Sequence, residues 1–372
     1  MREKVCIIGD GITALMLSKA LLDLDIKVDL ITKNNFKTKI QDSRTIGISD
    51  SNLFFLKNHG IIDKKTKIFW KINQIKIFNS KLKLNKNLLL NFENKEKNSI
   101  FHMVKNDAIH LSLKKKIQKN SLLTIIKKNN SYLLSKQFSK KNYKLIINCS
   151  SANSVDKKFF FKKINKNYKA TAHTTIVKHE KIKNHIAYQF FTNYGPMAFL
   201  PISGNATSIV WSVSNKNNIS DKIFVENIKK LFPSSVKKIS FLSINKFKLN
   251  FLLPREYYFE NILNFGDGLH KIHPIAGQGL NMTIRDIKIL KSIIQKKINL
   301  GLELDSSVLK DFDSKVKSYN FIFAKGIDFT EEYFSINNNF FNFYSNKLFN
   351  KINKNIFIKS LFMKFANKGL GI

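Results

Sequence analysis

The stretch Asn264–Asp286, NFGDGLHKIHPIAGQGLNMTIRD, decides the fold of this chain. A short apolar segment, Ile262 to Phe265, leads into it and predicts a strand. A loop rich in Pro and Gly runs from His273 to Gly279, and the apolar spacing from Leu280 to Ile294 predicts a helix. Such a junction presents free backbone N–H groups and the positive end of a helix dipole. We therefore expect a ligand at this junction.

The residues of this junction suit a flavin. Glycines let the backbone approach a flat ligand closely, and the carboxylate of Asp267 can accept hydrogen bonds from the hydroxyls of a ribitol chain. The start of the helix can face the electron-rich edge of the ring system. The side chains of His273, Pro274 and Gln278 are candidates for lining the site. The predicted cofactor-binding residues of this stretch are Gly266, Asp267, Gly277, Gly279, Leu280 and Asn281.

The amino terminus carries a second cofactor motif. Lys4 to Ile8 is an apolar strand pattern, Gly9-Asp10-Gly11-Ile12-Thr13-Ala14 follows it, and Leu15 to Leu22 is spaced as a helix. Strand, GxGxx(G/A) and helix in this order form the fingerprint of dinucleotide binding. The glycine pattern alone is a weak signal, and the strand and helix on either side strengthen it. The predicted cofactor-binding residues of this motif are Gly9, Gly11 and Ala14.

The second strand of this motif, Lys27 to Thr32, lacks the acidic residue that usually binds a ribose hydroxyl at the end of that strand. Asp29 lies too early in the strand to take this role. The hydroxyl of Thr32 can form a hydrogen bond in its place, more weakly than a carboxylate would. We therefore predict that Thr32 contacts the cofactor.

Further motifs resemble those of the FAD-dependent aromatic-ring monooxygenases. Asp42–Ser49, DSRTIGIS, resembles the D-x-R segment of that family, whose arginine approaches the FAD; in this chain that arginine is Arg44. Tyr194–Pro201, together with Ser208–Trp211, resembles the substrate-domain signature of the ubiquinone-biosynthesis hydroxylases (UbiH/VisC type). The GDGLHKIHPIAGQGLN run resembles GDAAH-x-x-HP-x-AGQGLN of the same branch, with Gly268-Leu269 in place of two alanines.

The resemblance implies an α/β fold like that of p-hydroxybenzoate hydroxylase. It would consist of a Rossmann-like (GxGxxA) three-layer FAD-binding domain, an inserted β-sheet substrate domain and a C-terminal helical tail. Alternating apolar and polar residues agree, because they predict a strand pair within Ile72–Glu93 and several short strands within Ala170–Asn215. The expected domains are a discontinuous FAD-binding domain (1–70, 100–167 and 250–300), a substrate domain (71–99 and 168–249) and a helical region (301–372).

The resemblance also implies an enzyme. It would be an FAD-dependent monooxygenase that hydroxylates the aromatic ring of a polyprenylated phenol in ubiquinone biosynthesis, through a flavin C(4a)-hydroperoxide. Dioxygen would be the co-substrate, and NAD(P)H or a partner reductase would supply electrons. We expect a cytoplasmic protein, either in peripheral contact with the inner face of the cytoplasmic membrane or within a quinone-biosynthesis complex.

One family motif is altered. Asn148–Lys157 aligns with the family sequence G-A-D-G-A-N-S-x-V-R, but Ser150-Ser151 replaces the Asp-Gly pair and Lys157 replaces the arginine. In the family this segment lies near the pyridine-nucleotide path, so the change puts direct reduction by NAD(P)H in doubt. It also motivates an alternative function, a flavin-binding scaffold without turnover in a quinone-biosynthesis complex.

The net charge of +38 raises a third interpretation, a basic module that binds nucleic acid. Only four of the 64 basic residues are arginines, namely Arg2, Arg44, Arg255 and Arg285. Nucleic-acid readers depend on the bidentate geometry of arginine. Lys, Asn, Ile and Phe are common here and have codons made only of A and T, so an AT-rich genome accounts for the lysine. We therefore expect no nucleic-acid partner.

Several residues favour structural functions. Cys6 and Cys149 lie in apolar segments and are expected to be core thiols without a disulfide. His270 and His273 have the spacing of a metal pair but no Cys, Asp or Glu cluster beside them, so we predict no metal site. Trp211 is expected to lie in the core of the substrate domain. No apolar run is long enough for a membrane-spanning helix.

Overall fold

The computed structural model describes residues 3–33, 44–79, 88–93, 99–129, 132–135, 143–151, 153–217, 219–232, 236, 238–272 and 277–335, with side chains to residue 329. Seven helices are present within these ranges. They are α1 (Ile12–Leu22), α2 (Asp50–Asn58), α3 (Asn106–Ile117), α4 (Ser154–Phe159), α5 (Asp221–Leu231), α6 (Gln278–Asn299) and α7 (Ser306–Ser335). Two short 3-10 turns, Tyr132–Leu134 and Gly266–Gly268, complete the helical elements of the described residues.

A six-stranded sheet forms the first lobe, in the spatial order β16-β17-β9-β1-β2-β8. All its neighbours run parallel except β16, which pairs antiparallel with β17 at the edge. The strands are β1 (Lys4–Ile8), β2 (Lys27–Thr32), β8 (Leu123–Lys127), β9 (Leu145–Asn148), β16 (Tyr258–Phe259) and β17 (Ile262–Asn264). This parallel core agrees with the predicted Rossmann-like domain.

Both faces of this sheet are covered, as a parallel sheet requires. Val5 and Ile7 of β1 pack into the cluster that includes the apolar faces of α1, α3 and α6. Cys6 and Ile8, which point the other way, pack against the side of the sheet that carries α4 and the 3-10 turn Tyr132–Leu134. The alternation of β1 therefore creates the three predicted layers.

The second lobe is an eight-stranded sheet with the order β14-β10-β13-β12-β11-β5-β6, in which β15 also pairs with β10. Most neighbours are antiparallel, and β11 and β5 are parallel. The strands are β5 (Gln74–Asn79), β6 (Leu88–Glu93), β10 (Lys163–Lys178), β11 (Ile186–Thr192), β12 (Gly195–Ser203), β13 (Ala206–Ser214), β14 (Ser240–Phe241) and β15 (Asn245–Pro254). The β-sheet character predicted for the substrate domain is confirmed.

Helix α5 covers one face of the second sheet. Phe224 and Ile228 of α5 pack with Trp211 and Val213 of β13 in a buried cluster, and Trp211 is fully buried as expected. This helix was not predicted from the sequence. Because α5 occupies this face, residues that alternate with Trp211 along β13, such as Ser208 and Val210, point to the opposite face of the sheet.

A small antiparallel sheet, in the order β3-β7-β4, lies at the junction of the two lobes. Its strands are β3 (Thr45–Ser49), β4 (Trp70–Ile72) and β7 (Phe101–Lys105). The hydroxyl of Thr45 donates to Ser208 Oγ over 2.8 Å, so β3 meets the face of the second sheet that α5 leaves free. This contact brings the two lobes together beside the predicted D-x-R segment.

The carboxyl-terminal helices pack on the first lobe. Phe312 and Val316 of α7 are buried in the same cluster as Phe265 and the apolar face of α6. Among the described helices, none is long and apolar enough to cross a membrane. The region after Ser335 lies outside the described residues, so the helical tail is described only as far as α7.

The predicted domain borders at 167/168 and 249/250 both fall inside strands. Lys163–Asn167 of β10 pairs with Asn250–Pro254 of β15, and the register shifts between Asn167 and Thr171. Beyond that irregularity β10 continues as a central strand of the second sheet. The domain borders at 167/168 and 249/250 stay our proposal. Strands β10 and β15 pass between the two lobes without a linker.

Candidate cofactor site

Three turns converge at the carboxyl ends of neighbouring parallel strands of the first sheet. They follow β1, β9 and β17, which lie side by side. A Cβ atom on Gly9 would lie 3.4 Å from the carbonyl carbon of Cys149, and one on Gly266 would lie 2.8 Å from Thr13 Cγ2. The amino-terminal fingerprint and the Gly-Asp motif, distant in sequence, therefore lie in direct contact. Open α/β sheets bind their ligands at such an edge.

The start of α1 is open. Gly9 has a φ of +133°, and its N–H donates to the carbonyl of Ile31 over 2.9 Å. Gly11 is the N-cap residue; it is exposed, no side chain caps the helix, and no acidic residue lies in the first turn. The first backbone N–H groups of α1 therefore face outward without a side-chain acceptor. An anion such as a pyrophosphate suits this position.

The Gly-Asp motif forms the 3-10 turn Gly266–Gly268. Gly266 has a φ of +63° and abuts the Thr13 side chain, so both its backbone and its surroundings demand a glycine. Asp267 at the middle of the turn is exposed. Its carboxylate is therefore open to solvent and can accept hydrogen bonds from hydroxyl groups.

The start of α6 is open as well. Gly277, its N-cap residue, has a φ of +61°, no side chain caps the helix, and the first turn contains no acidic residue. The free backbone N–H groups here belong to the residues that begin the helix, including Gln278, Gly279 and Leu280. This positive helix end lies close to β3, since a Cβ atom on Gly277 would be 3.7 Å from the backbone nitrogen of Gly47.

Asn281 holds the start of α6 in place. Its Nδ2 donates to the carbonyl of Gly47 over 2.8 Å, and its Oδ1 accepts from the backbone N–H of Ser49 and from Asn52 Nδ2, both over 2.9 Å. The carboxamide is therefore occupied by β3 and α2. The predicted contact of Asn281 with the cofactor stays a prediction, and the structure gives its side chain an anchoring role.

Other predicted residues differ in their placement. Thr32 ends β2 beside β1, and its buried carbonyl accepts from the Lys128 N–H over 3.0 Å. Asp29 is bound to Tyr143 and Lys4, which agrees with its exclusion as a ribose ligand. The guanidinium of Arg44 lies 5.5 Å from the ring centre of Phe247 on β15, at the boundary of the two lobes.

Ala14 is buried in α1, as close packing of helix on strand requires. His273 and Pro274 lie outside the described residues. Gln278, the third candidate for lining the site, is the first residue of α6 and is partly exposed. Of the predicted set, the structure therefore groups Gly9, Gly11, Ala14, Thr32, Gly266 and Asp267 around one edge and sets Gly277, Gly279 and Leu280 at the start of α6.

In the altered motif after β9, buried polar side chains form hydrogen bonds with one another and with the neighbouring Gly-Asp turn. Asn153 Nδ2 donates to Asn148 Oδ1 over 2.7 Å, and Asn148 Nδ2 donates to Asn264 Oδ1 over 3.2 Å. Asn264 Nδ2 in turn donates to Asp156 Oδ1 over 3.2 Å and to the Gly268 carbonyl over 3.0 Å. Lys163 Nζ pairs with Asp156 Oδ2 over 2.5 Å. This carboxamide network joins the altered segment to the Gly-Asp turn.

This network was not predicted from the sequence. Asn148 and Asn264 each end a neighbouring strand, and they pair across β9 and β17. A polar residue at the end of an apolar strand was the available signal, but the partner strands could only be identified from the fold. The sequence analysis also missed Asp286, which accepts a 2.8 Å hydrogen bond from His270 Nε2.

Cys149 lies at the centre of the convergence. It is a free, partly buried thiol, and Cys6 is a free, buried one. Burial, and to a smaller extent the carboxylate of Asp267, raises the pKa of the Cys149 thiol well above its usual range. The thiol is therefore protonated at neutral pH.

Comparison with known proteins agrees with this site. The family described as "FAD binding domain" matches residues 148–302, which include the altered segment, the Gly-Asp turn and α6. The cofactor predicted from the motifs, FAD, is confirmed by this match. The amino-terminal fingerprint lies outside the matched range. In the fold it contacts the Gly-Asp turn, which lies inside that range.

Two relatives indicate the branch. The chain is 32% identical over 156 residues to the 3-demethoxyubiquinol 3-hydroxylase of Escherichia coli (strain K12), a match that covers 40% of each protein. It is 29% identical over 178 residues to the mitochondrial ubiquinone biosynthesis monooxygenase COQ6 of Dictyostelium discoideum, covering 38% of this chain and 36% of that protein. Less than half the length of each relative is therefore matched. The predicted kinship with ubiquinone-biosynthesis hydroxylases is confirmed, at modest identity.

Solved structures extend the likeness in fold to the whole chain. The p-nitrophenol 4-monooxygenase PnpA of Pseudomonas putida DLL-E4 superposes with a TM-score of 0.77 at 12% identity, covering 100% of this chain and 98% of that one. A 2-methyl-3-hydroxypyridine-5-carboxylic acid oxygenase superposes with a TM-score of 0.69 at 12% identity, covering 91% and 94%. The predicted fold, that of the FAD-dependent aromatic monooxygenases, is confirmed.

Proposed function

We propose that this chain, which contains an FAD-binding domain and has the fold of the FAD-dependent aromatic monooxygenases, hydroxylates the ring of a polyprenylated phenol in ubiquinone biosynthesis. One observation carries the proposal: the turn that opens the uncapped helix α1 contacts the Gly-Asp turn, whose Asp267 is exposed, and α6 also begins without a side-chain cap. The names of the two relatives support the substrate class.

The residues present fit FAD. The uncapped N–H groups at Gly11 suit the pyrophosphate, and the Asp267 carboxylate suits the ribitol hydroxyls. The uncapped start of α6 suits the edge of the ring system, where negative charge gathers on reduction. Bound FAD would supply the activation of dioxygen. The protein would supply position, exclusion of water and stabilisation of charge.

The substrate ring would lie between α6 and the second sheet. The face of that sheet opposite α5 carries Ser208 and Val210, and it contacts β3 through the Thr45–Ser208 hydrogen bond. Arg44 and Phe247 stand at the same boundary. Small and apolar side chains on a rigid sheet suit a phenol ring with an apolar substituent. This face therefore supports the location of the substrate domain that we predicted at 71–99 and 168–249.

The electron donor is a separate part of the proposal. We expect slow reduction by NADPH alone and a contribution from a partner reductase or ferredoxin. The altered segment motivates this, because Ser150-Ser151 replaces Asp-Gly and the Ser150 N–H donates to Asn148 Oδ1 over 3.3 Å. Stopped-flow mixing without oxygen, with a prenylated phenol bound, tests it. Rapid loss of flavin absorbance on addition of NADPH alone would contradict the need for a partner.

The proposed site of action is the inner face of the cytoplasmic membrane, where a polyprenylated substrate resides, or a quinone-biosynthesis complex. Lysine-rich surfaces would favour anionic lipid or an acidic electron carrier. Sedimentation with anionic and with neutral vesicles at low and high salt measures the lipid contribution. Binding that is equal for both kinds of vesicle would contradict an electrostatic membrane contact.

The decisive experiment begins with the purified protein. A flavin absorbance spectrum, FAD released on denaturation and a co-purified quinone precursor identified by mass spectrometry are the expected results. Turnover of a prenylated phenol with a product heavier by one oxygen would complete the assignment. A protein that binds FAD but turns over no phenol with any electron donor would favour the scaffold function. A protein that binds no FAD would contradict both.

A further inference from the structure

A buried polar cluster lies behind the cofactor edge and joins three elements. Asp286 is on α6, His270 follows the Gly-Asp turn, and Asn320 is on α7. His270 Nε2 donates to Asp286 Oδ2 over 2.8 Å, and Asn320 Nδ2 donates to the same oxygen over 3.3 Å. Arg285 contributes a 3.4 Å contact to Asp286 Oδ1 and a hydrogen bond to Asn320 Oδ1. We name these four residues the Asp286 cluster.

Burying these charged and polar side chains costs free energy, and the hydrogen bonds to Asp286 offset part of that cost. The side chains of His270 and Asp286 are 1% and 0% exposed, so neither is solvated by water. A buried carboxylate without partners is strongly destabilising. Three donors from three elements satisfy Asp286, whereas His270 Nδ1 and Arg285 Nε are buried without a hydrogen-bond partner among the described residues. Removing one donor therefore disturbs the relative position of the elements as well as the local bonding.

The cluster lies next to both parts of the cofactor site. The His270 N–H donates to the Gly266 carbonyl over 3.2 Å, so His270 is bonded directly to the Gly-Asp turn. Asp286 lies on α6, the helix that begins at Gln278. The His270–Asp286 hydrogen bond consequently fixes how far the Asp267 carboxylate stands from the start of α6. Asn320 and Arg285 extend this connection to α7.

We infer that the Asp286 cluster is a positioning device for the cofactor, and that α7 is a working part of the FAD site. The inference rests on the proposed function. Asn320 acts through Asp286 and touches no reacting group, so it is a positioning residue. Its loss should let the Gly-Asp turn and the start of α6 separate, which weakens a ligand that must contact both.

A matched pair of variants separates positioning from ordinary stability. Asn320→Ala removes a fully buried carboxamide from the cluster. Asn184→Ala removes a buried carboxamide from the loop before β11, where Asn184 Nδ2 donates to the Ser203 carbonyl over 2.8 Å and to Thr207 Oγ1 over 3.0 Å. Both variants should melt at lower temperature, because each leaves buried polar groups unsatisfied.

FAD titration and amide hydrogen exchange of the apoprotein give the deciding measurements. We expect the FAD Kd to rise about tenfold in Asn320→Ala and to stay unchanged in Asn184→Ala. Exchange at Gln278–Asn281 should be faster only in Asn320→Ala. The flavin reduction potential should fall in Asn320→Ala, because the positive helix end would stabilise the reduced ring less well.

A conservative variant keeps the inference testable if Asn320→Ala does not fold. His270→Gln retains an N–H donor toward Asp286, and we expect it to raise the FAD Kd less than His270→Ala does. Equal FAD affinity in wild type and in every cluster variant that folds would overturn the inference. A wild-type protein that binds no FAD would instead overturn the proposed function, so the two failures are distinguishable.

Discussion

The turns that follow β1 and β9 lie side by side in the first sheet, and they are built for opposite purposes. Helix α1 begins at Gly11 with neither a side-chain cap nor an acidic residue in its first turn. Helix α4 begins at Asn153, whose side chain accepts from the Asp156 N–H, and Asp156 lies in its first turn. One helix start leaves its donors to a ligand, and the other satisfies them within the protein.

The same contrast extends through the molecule. Helices α2 and α5 begin like α4, each with a serine cap and an aspartate in the first turn. Helix α3 has no side-chain cap, but Asp107 supplies a negative charge in its first turn. Helix α6 begins like α1. Because an uncapped helix start costs stability, its occurrence at both α1 and α6 without an acidic residue in the first turn is informative. An open helix start therefore indicates where a negatively charged ligand belongs, whereas a capped one indicates where the chain stabilises itself.

The largest effect is expected from adding a methyl group at Gly266, where the Gly-Asp turn contacts the amino-terminal fingerprint. Gly266→Ala would put Cβ 2.8 Å from Thr13 Cγ2 at a φ of +63°. Gly60 has a φ of +59° with nothing within 4 Å, so Gly60→Ala isolates the backbone cost. We expect Gly60→Ala to lower the free energy of unfolding by about 1–2 kcal/mol, and Gly266→Ala to lower it by about 1–3 kcal/mol more.

Urea unfolding of the two alanine variants measures this difference, and FAD titration of the folded fraction should detect lost affinity only for Gly266→Ala. Thr13→Ala should restore part of the stability lost in Gly266→Ala, because it removes the Cγ2 methyl. Equal losses in the two glycine variants would show that the contact between the fingerprint and the Gly-Asp turn is unimportant.

The second prediction concerns the exposed carboxylate of Asp267. Asp267→Ala should weaken FAD binding by about 1.5–3 kcal/mol, the range for a hydrogen bond to a charged group. Its effect on unfolding of the apoprotein should be small, because Asp267 is exposed. Fluorescence titration with FAD and thermal unfolding measure the two quantities. Unchanged FAD affinity in the folded variant would remove Asp267 from the site.

The third prediction concerns the turn after β9, which leads into the capped helix α4. Here we expect stability to fall and FAD affinity to stay unchanged, the reverse of the result expected for Asp267→Ala. Asn153→Ala removes the cap of α4 and the 2.7 Å hydrogen bond to Asn148. We expect the free energy of unfolding to fall by about 1–2 kcal/mol, with FAD affinity unchanged. Denaturant unfolding and FAD titration give both values. If Asn153→Ala weakened FAD binding as much as Asp267→Ala does, the distinction between the two turns would fail.

The smallest effect concerns Cys149, the thiol in the turn after β9 that lies against Gly9. Burial and the Asp267 carboxylate raise the pKa of Cys149, so removing that charge should lower this pKa and increase the thiolate fraction at a fixed pH. We expect Asp267→Asn to speed alkylation of the apoprotein at mildly alkaline pH by a factor of about two to three. The exposed Asp63 provides the control, Asp63→Asn, which should not alter the rate.

Mass spectrometry of tryptic peptides follows this alkylation. Bound FAD should protect Cys149 in the wild type, and the buried Cys6 should remain unlabelled under both conditions. Labelling of Cys149 at the same rate with and without FAD would separate the thiol from the cofactor edge, and would weaken the assignment of the turn after β1 as the open one.

The fold was largely predictable because its signals are local. Lys27 to Thr32 is a strand with the predicted bounds, and the helix predicted from Leu280 to Ile294 lies within α6. These signals depend on neighbours along the chain. The Gly-Asp turn was likewise predictable, because its glycines and aspartate occupy adjacent positions.

The supporting interactions could not be predicted in the same way. Asn148 pairs with Asn264, 116 positions away, and Arg285 pairs with Asn320, 35 positions away. Their partners depend on strand order and helix packing, which one sequence does not reveal. Arg285 lies within the stretch Asn264–Asp286, and in the structure its guanidinium donates to Asn320 of α7. Sequence motifs thus located the site, and the fold supplied what holds it.

The sixteen-residue strand β10 has a practical consequence for producing the protein in parts. Its pairing with β15 continues on both sides of the proposed border, since Lys163–Asn167 pairs with Asn250–Pro254 and Thr171–Thr174 pairs with Asn245–Lys248. A fragment of residues 168–249 would keep the second set of pairs but would lack β5, the parallel partner of β11, and the unpaired edge of β11 would promote aggregation. Expression of this fragment should therefore yield insoluble material, whereas the intact chain keeps that edge covered.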